Sequence, residues 1–333
     1  MKTNDLGRRD FIKFGLISSF LILSGCSISK NKLALRGVPN SFPSEFLKSL
    51  PASWEFLPIK DIESKRFPYS DYLQEKTDLL VLNDGWISTL PFGELNEIKT
   101  TNIRERFSNQ ANVFLEGLGK DYQKRILPLA VSPWVILVRN EDSLALNNKN
   151  SWEVVFSDKL LNKIVFPNSP HLLISIARNL GFGNDISKIK KQTKLFDDRN
   201  ALNWVVSGKA NAAVLPLSSC VKSLVEDPRL SILLPQEGCP LNWTVLVSPS
   251  SSQEPFPSNW YKLLWGPAYS RRLIRKGFFP PTNFSDFTRD ITQIPQRDKS
   301  ISLAEESFWN KCWSLPLLSS RDKKDLAMIW NNS

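Results

Sequence analysis

Asp78-Leu79-Leu80-Val81-Leu82-Asn83-Asp84-Gly85-Trp86 decides the architecture. A continuous apolar run with no polar alternation fits a strand covered on both faces, and Asn-Asp-Gly ends it in a turn. Toward the N-terminus, residues 33–35 read as a strand closed by Gly37, 43–50 as a helix starting near Ser41 or Ser44, and 54–57 as a second strand. Toward the C-terminus, 126–130 and 135–138 read as extended segments interrupted by Ser132-Pro133-Trp134. A strand at 163–166 follows, then the turn Pro167-Asn168-Ser169-Pro170 and a helix over 171–180 stopped by Gly181. Beyond it come a helix at 201–206, a strand at 212–215, and a helix reaching Val225 with Ser218 and Ser219 placed to cap it. Strands at 230–234 and 244–247, a Pro/Ser loop at 248–258, and helices at 259–265, 268–276 and 322–330 complete the series. Such alternation of strands and helices predicts an α/β class.

The composition narrows the chemistry. A chain of 333 residues is long enough for two domains, and 41% apolar with 23% charged residues excludes a disordered polymer. A single histidine, His171, and four scattered cysteines exclude most metal enzymes and histidine-dependent triads. There is no Gly-x-Gly-x-x-Gly, no phosphate loop and no Gly-x-Ser-x-Gly elbow, so no cofactor and no metal are expected. The net charge is +10, but no Lys/Arg tract with interleaved aromatics points to nucleic acid. A basic surface suits anionic lipid headgroups or an anionic ligand, or serves solubility alone.

The first residues stand apart. Gly7-Arg8-Arg9-Asp10-Phe11-Ile12-Lys13 precedes an apolar run at 14–23, too short for a bilayer anchor of roughly 20 residues. The paired arginines resemble a twin-arginine export signal, and Leu23-Ser24-Gly25-Cys26 resembles a lipobox. These imply a signal peptide at 1–25, lipidation of Cys26, a polar tether at 26–32, and a lipid-anchored periplasmic protein. The leader carries four basic and two acidic side chains, so about +8 of the +10 stays with the remainder. Of the remaining cysteines, Cys220 and Cys239 are nearest in sequence and an oxidising compartment permits them to pair. An odd count leaves a thiol over, and buried, unpaired cysteines are the expected state.

Several motifs occur in a meaningful order. They are Asp78 to Val81 with Asn83-Asp84-Gly85-Trp86; Leu127-Pro128-Leu129 with Trp134 before Val135-Ile136-Leu137-Val138; and Ser151-Trp152-Glu153. After these come Leu160 to Ile164, Arg178 to Gly181, Gly208-Lys209-Ala210 to Leu215, and Leu234-Pro235-Gln236-Glu237-Gly238. This order resembles the type II periplasmic substrate-binding proteins, specifically their spermidine/putrescine-binding branch, over about residues 33 to 280. The resemblance implies an α/β fold of two lobes with a ligand cleft between them and two crossover segments near Trp134 and Trp243. Lobe one would hold 33–133 and 245–333, and lobe two 134–244. The implied protein is a monomeric solute-binding lipoprotein, not an enzyme, presenting a small polar solute to an inner-membrane ABC permease.

The candidate ligand residues follow from cleft positions. Asp84 and Trp86 follow a buried strand, where a carboxylate beside an indole suits a cationic amine; the alternative is a simple turn with Trp86 in the core. Trp134 faces the ligand or pins the hinge. Glu237, Trp243 and Thr244 sit at the second crossover, and Arg36 ends the first strand. Asn168, His171 and Ser218 lie where strands enter helices. Polyamine binders of this branch place carboxylates where this chain has Asn168 and His171, and another just past the aromatic of the returning strand. A diammonium ligand needs buried counter-charge, so Arg36, His171 and the serines suit an anionic or zwitterionic solute better. No adjacent tyrosine pair is present for Fe(III). An exported hydrolase using Asp84 and Glu237, or a ligand-free binding fold used for protein contacts, are the alternatives.

Overall fold

A computed structural model describes residues 32–39, 44–59, 76–99, 101–139, 150–183, 186–254, 257, 260, 263, 265–287 and 306–332. The expected leader at 1–25, Cys26 and all of the tether before Lys32 lie outside the described residues. The strands are β1 (Leu33–Gly37), β2 (Trp54–Pro58), β3 (Leu79–Asn83), β4 (Leu127–Arg139), β5 (Ile164–Phe166), β6 (Thr193–Phe196), β7 (Ala212–Pro216), β8 (Leu230–Leu233), β9 (Pro240–Val247) and β10 (Trp313–Ser314). Their order is β2-β1-β3-β9-β4-β7-β5-β6, with β10 beside β9 and β8 beside β4. This is the α/β architecture that the apolar runs predict.

β4 joins two half-sheets. Its first part, to Pro133, pairs antiparallel with β9, and its second part, from Trp134, pairs antiparallel with β7 and then β8. The sequence suggests a break at Ser132-Pro133-Trp134, yet the strand runs unbroken through it. The reason is local: Pro133 is the last residue opposite β9 and Trp134 the first opposite β7. A residue without an N–H is tolerated where the neighbouring strand changes. β1 pairs parallel with β2 and β3, and β5 parallel with β6 and β7, as crossover connections require. β3 is buried from Leu79 through Leu82, and the apolar residues of both half-sheets form one continuous cluster.

Five helices position the loops discussed below: α1 (Asn109–Gly117), α2 (Pro170–Asn179), α3 (Leu217–Glu226), α4 (Pro267–Arg275) and α5 (Ser320–Asn332). Ser108 caps α1 by accepting the Ala111 N–H at 3.2 Å, a helix with no counterpart in the sequence reading above. Ser169 caps α2 from Leu172 at 3.3 Å with Pro170 in the first turn, and Gly181 at φ +78° follows its end. In α3 the cap position is Pro216, so Ser218 and Ser219 lie inside the first turn and are not its caps. Asp78 is structural: its carboxylate accepts the Ala34 N–H at 2.7 Å and the Ser252 hydroxyl at 3.1 Å.

The C-terminal segment reaches both half-sheets. β10 pairs with the start of β9, and α5 packs on α2 beside the second half-sheet. Among the described residues no helix is long and apolar enough to cross a membrane. Cys220, Cys239 and Cys312 are all buried free thiols, and the Cys220 thiol donates to the Leu217 carbonyl in its own helix.

Candidate functional site

At the carboxyl end of β3 the chain enters a short 3-10 turn, Asp84–Thr89. The Asp84 carboxylate accepts the backbone N–H of Trp243 on β9, with those of Gly85 and of Asp84 itself. Burial raises its pKa to about 7 against the lowering effect of those three donors. No ion pair of Asp84 occurs among the described residues. A cationic group beside it would favour the ionised form. Beside it, Asn83 has a buried Oδ1 with no hydrogen-bond partner in the structure. Trp86 is half-buried and packs against the core.

On the second half-sheet, β5 leads through Asn168 into α2. His171, in the first turn, is pushed down to about 4 by burial first and by the charge of Arg178, while Asp322 pulls the other way. It is a neutral imidazole at pH 7, able to donate or accept one hydrogen bond from each nitrogen. Asn168 is exposed, and its backbone N–H donates to the Asp198 carboxylate at 2.9 Å. At the mouth of α3, the Ser218 N–H donates to the Ser132 hydroxyl at 3.0 Å, and Gly277 is so close to Leu217 and Ser218 that a Cβ there would lie 2.7 Å from the Ser218 nitrogen.

The C-terminal segment spans from one half-sheet to the other. Trp313 donates its indole N–H to Ser175 of α2 at 2.7 Å, and Ser314 accepts the indole N–H of Trp243 at 2.9 Å. α5 opens with reciprocal capping: the Ser319 hydroxyl accepts the Asp322 N–H at 3.1 Å, and the Asp322 carboxylate accepts the Ser319 N–H at 2.9 Å. One residue on, Lys323 donates to the Ser88 carbonyl at 3.2 Å. At the far end Trp330 meets Phe196 at 4.9 Å between ring centroids and lies under the Lys190 ammonium at 4.8 Å. The turn after β3 and the start of α2 are therefore linked through α5, with Asp322 and Lys323 between them. The Ser-x-x-Asp spacing at 319–322 is the sequence signal for this cap; nothing local to the sequence says which surface the helix covers.

The other expected residues are dispersed. Arg36 sits within β1 opposite Leu57 and Leu80, and its Nε donates to the Lys76 carbonyl at 3.2 Å. Trp134 pairs with Pro216 at the point where β4 changes neighbour. The ring of Trp243 is a core side chain, fully buried and stacked on Phe114 at 4.7 Å, and Thr244 is buried beside it in β9. Glu237 lies in a separate open depression with Ser151, Glu153, Gln236 and Lys311. One of its oxygens accepts from Ser151 and the other is buried with no partner in the structure. No group of three or more potential metal ligands occurs among the described residues.

No protein-family model matches the chain. No curated protein matches it either. Solved structures do. The spermidine/putrescine ABC transporter substrate-binding protein PotD of Streptococcus pneumoniae is 12% identical, with a TM-score of 0.67 over 91% of this chain and 98% of that one. The TpPotD lipoprotein of Treponema pallidum is also 12% identical, with a TM-score of 0.60 over 90% and 98%. The ferric binding protein of Campylobacter jejuni is 15% identical, with a TM-score of 0.58 over 90% and 99%. The chain has the fold of the ABC-transporter substrate-binding proteins. At these identities the likeness is one of fold, and the ligand has to be argued from the side chains.

Proposed function

We propose that the protein is an extracytoplasmic solute-binding protein of an ABC transporter, capturing a small polar solute between two lobes and carrying out no bond chemistry. The half-sheets on either side of β4 would be the lobes, near the boundaries at 33–133 and 134–244, with 245–333 divided between them. Cys26 would carry the lipid, after export by the twin-arginine route, and the anchored monomer would meet an inner-membrane permease at raised effective concentration.

The observation that carries this reading is Asp84. A carboxylate that burial holds near pH 7, at the carboxyl end of a strand in this fold, favours a ligand bearing an ammonium group. Trp86 stands two residues on, and an indole is a residue type that suits a cation. The neutral His171 and the Lys323 ammonium bring no negative charge, and the Asp322 carboxylate beside them is engaged by the Ser319 N–H that it caps. The ligand class is therefore a polar solute with one cationic amine, such as an amino acid or other zwitterion, in preference to a diammonium polyamine. The spermidine/putrescine-binding proteins that share the fold keep polyamines in the test. Thermal-shift titration against polyamines, amino acids and oxyanions decides it: a zwitterion is expected to raise the unfolding midpoint, and Asp84→Asn to abolish that rise. Stabilisation by no solute at all would overturn solute capture, and stabilisation by polyamines alone would overturn the ligand class.

A further inference from the structure

We infer that Cys239 and Cys312 form a disulfide site that fastens the C-terminal segment to the start of β9. The parallel register of β9 and β10 sets Pro240 opposite Trp313. One step back along both chains, Cys239 stands beside Cys312. Two hydrogen bonds support that placement: the Cys239 N–H donates to the Cys312 sulfur at 3.4 Å, and the Trp313 N–H donates to the Cys239 carbonyl at 3.1 Å. Neighbouring strands lie roughly 4.8 Å apart and their facing side chains share one side of the sheet, inside the ~4.4–6.8 Å between Cα atoms that a disulfide bridges. Gly238 makes the approach possible. At φ +89°, it leaves room for nothing: a Cβ there would lie 2.3 Å from the Lys311 carbonyl oxygen. The Cys312 thiol also donates to the Phe308 carbonyl at 3.5 Å, a bond that closing the disulfide would replace; the Cys220 thiol donates to Leu217, and among the described residues no hydrogen bond joins it to another cysteine.

The bond forms by two exchanges with a disulfide donor. One thiolate attacks a donor sulfur and releases a donor thiol; the second thiolate then attacks the first cysteine's sulfur and releases the other. Two S–H bonds and the donor S–S bond break, one S–S bond forms in the protein, and the donor leaves as two thiols carrying the two protons. Burial raises both thiols far from the thiolate range, to about 12 for Cys312, so exchange belongs to folding and the finished bond resists reduction.

The test refolds the full chain, carrying Cys26→Ser, in a buffer of oxidised and reduced glutathione, followed by alkylation in denaturant and peptide mass mapping. The expected product links Cys239 to Cys312 and leaves Cys220 alkylated. The linked protein is expected to melt roughly 5 °C above its reduced form, because a long loop is closed, and Cys312→Ser to lose both the link and the difference. Three free thiols after refolding, a bond that includes Cys220, or a linked protein with no rise in midpoint would each overturn the proposal.

Discussion

The indole N–H of Trp313 and the hydroxyl of Ser175 lie 2.7 Å apart, across 138 residues of sequence. Their bond joins the segment that extends the β9 edge to the helix that follows β5, so it reports directly on whether the two half-sheets are held together. Trp313→Phe and Ser175→Ala are each expected to cost about 1 kcal/mol in urea unfolding, and the double variant to cost little more than either. Full additivity would mean that the two residues do not act as a pair.

Asp84 and His171 give opposite pH responses. Asp84, shifted from 3.8 to about 7, binds its proton more readily when folded, so it lowers stability as pH rises through that window. His171, shifted from 6.5 to about 4, binds its proton less readily when folded, so it lowers stability as pH falls through its own window. Relative to wild type, Asp84→Asn is expected to gain stability progressively from pH 3.8 to about 7. His171→Asn is expected to show its advantage near pH 4 and lose it above 6.5. Urea midpoints across this range check both; difference profiles with the same sign of slope would refute the assignment.

Glycine at 238 is a packing requirement and glycine at 117 is not. Gly238→Ala meets backbone at 2.3 Å from a left-handed conformation and is expected to cost at least ~2 kcal/mol. Gly117, the last residue of α1, has nothing within 4 Å of an added Cβ, and Gly117→Ala is expected to stabilise by up to about 1 kcal/mol. Chemical denaturation of the two variants side by side makes the comparison.

Ser319 and Asp322 cap α5 reciprocally. Ser319→Ala is expected to cost about 1 kcal/mol. It is also expected to speed amide exchange at the start of α5 and in the turn holding Ser88, which Lys323 reaches at 3.2 Å. Faster exchange confined to α5 would show that the helix does not support that turn.

What the sequence discloses and what it hides divide along physical lines. Leu79 to Leu82 announce a strand covered on both faces because nothing polar interrupts them, and Ser169 with Pro170 announces a helix start because a cap and a fixed φ are local properties. Pro133 misleads: alone it reads as a break, and only the exchange of β9 for β7 beside it explains why the strand continues. Trp243 shows the other limit. An indole at the second crossover reads as a ligand residue, and its stacking on Phe114 in the core is a tertiary fact. The same holds for α5, whose apolar spacing says that it is buried on one side but not that it reaches α2.

β4 contributes rungs to both half-sheets, and the apolar interior passes without interruption from one to the other. Loss of β4 would take an edge strand from the first half and a central strand from the second, so unfolding of one half disrupts the other. Heat or denaturant should accordingly produce one sigmoidal melt reported identically by every spectroscopic probe, despite a layout that invites two.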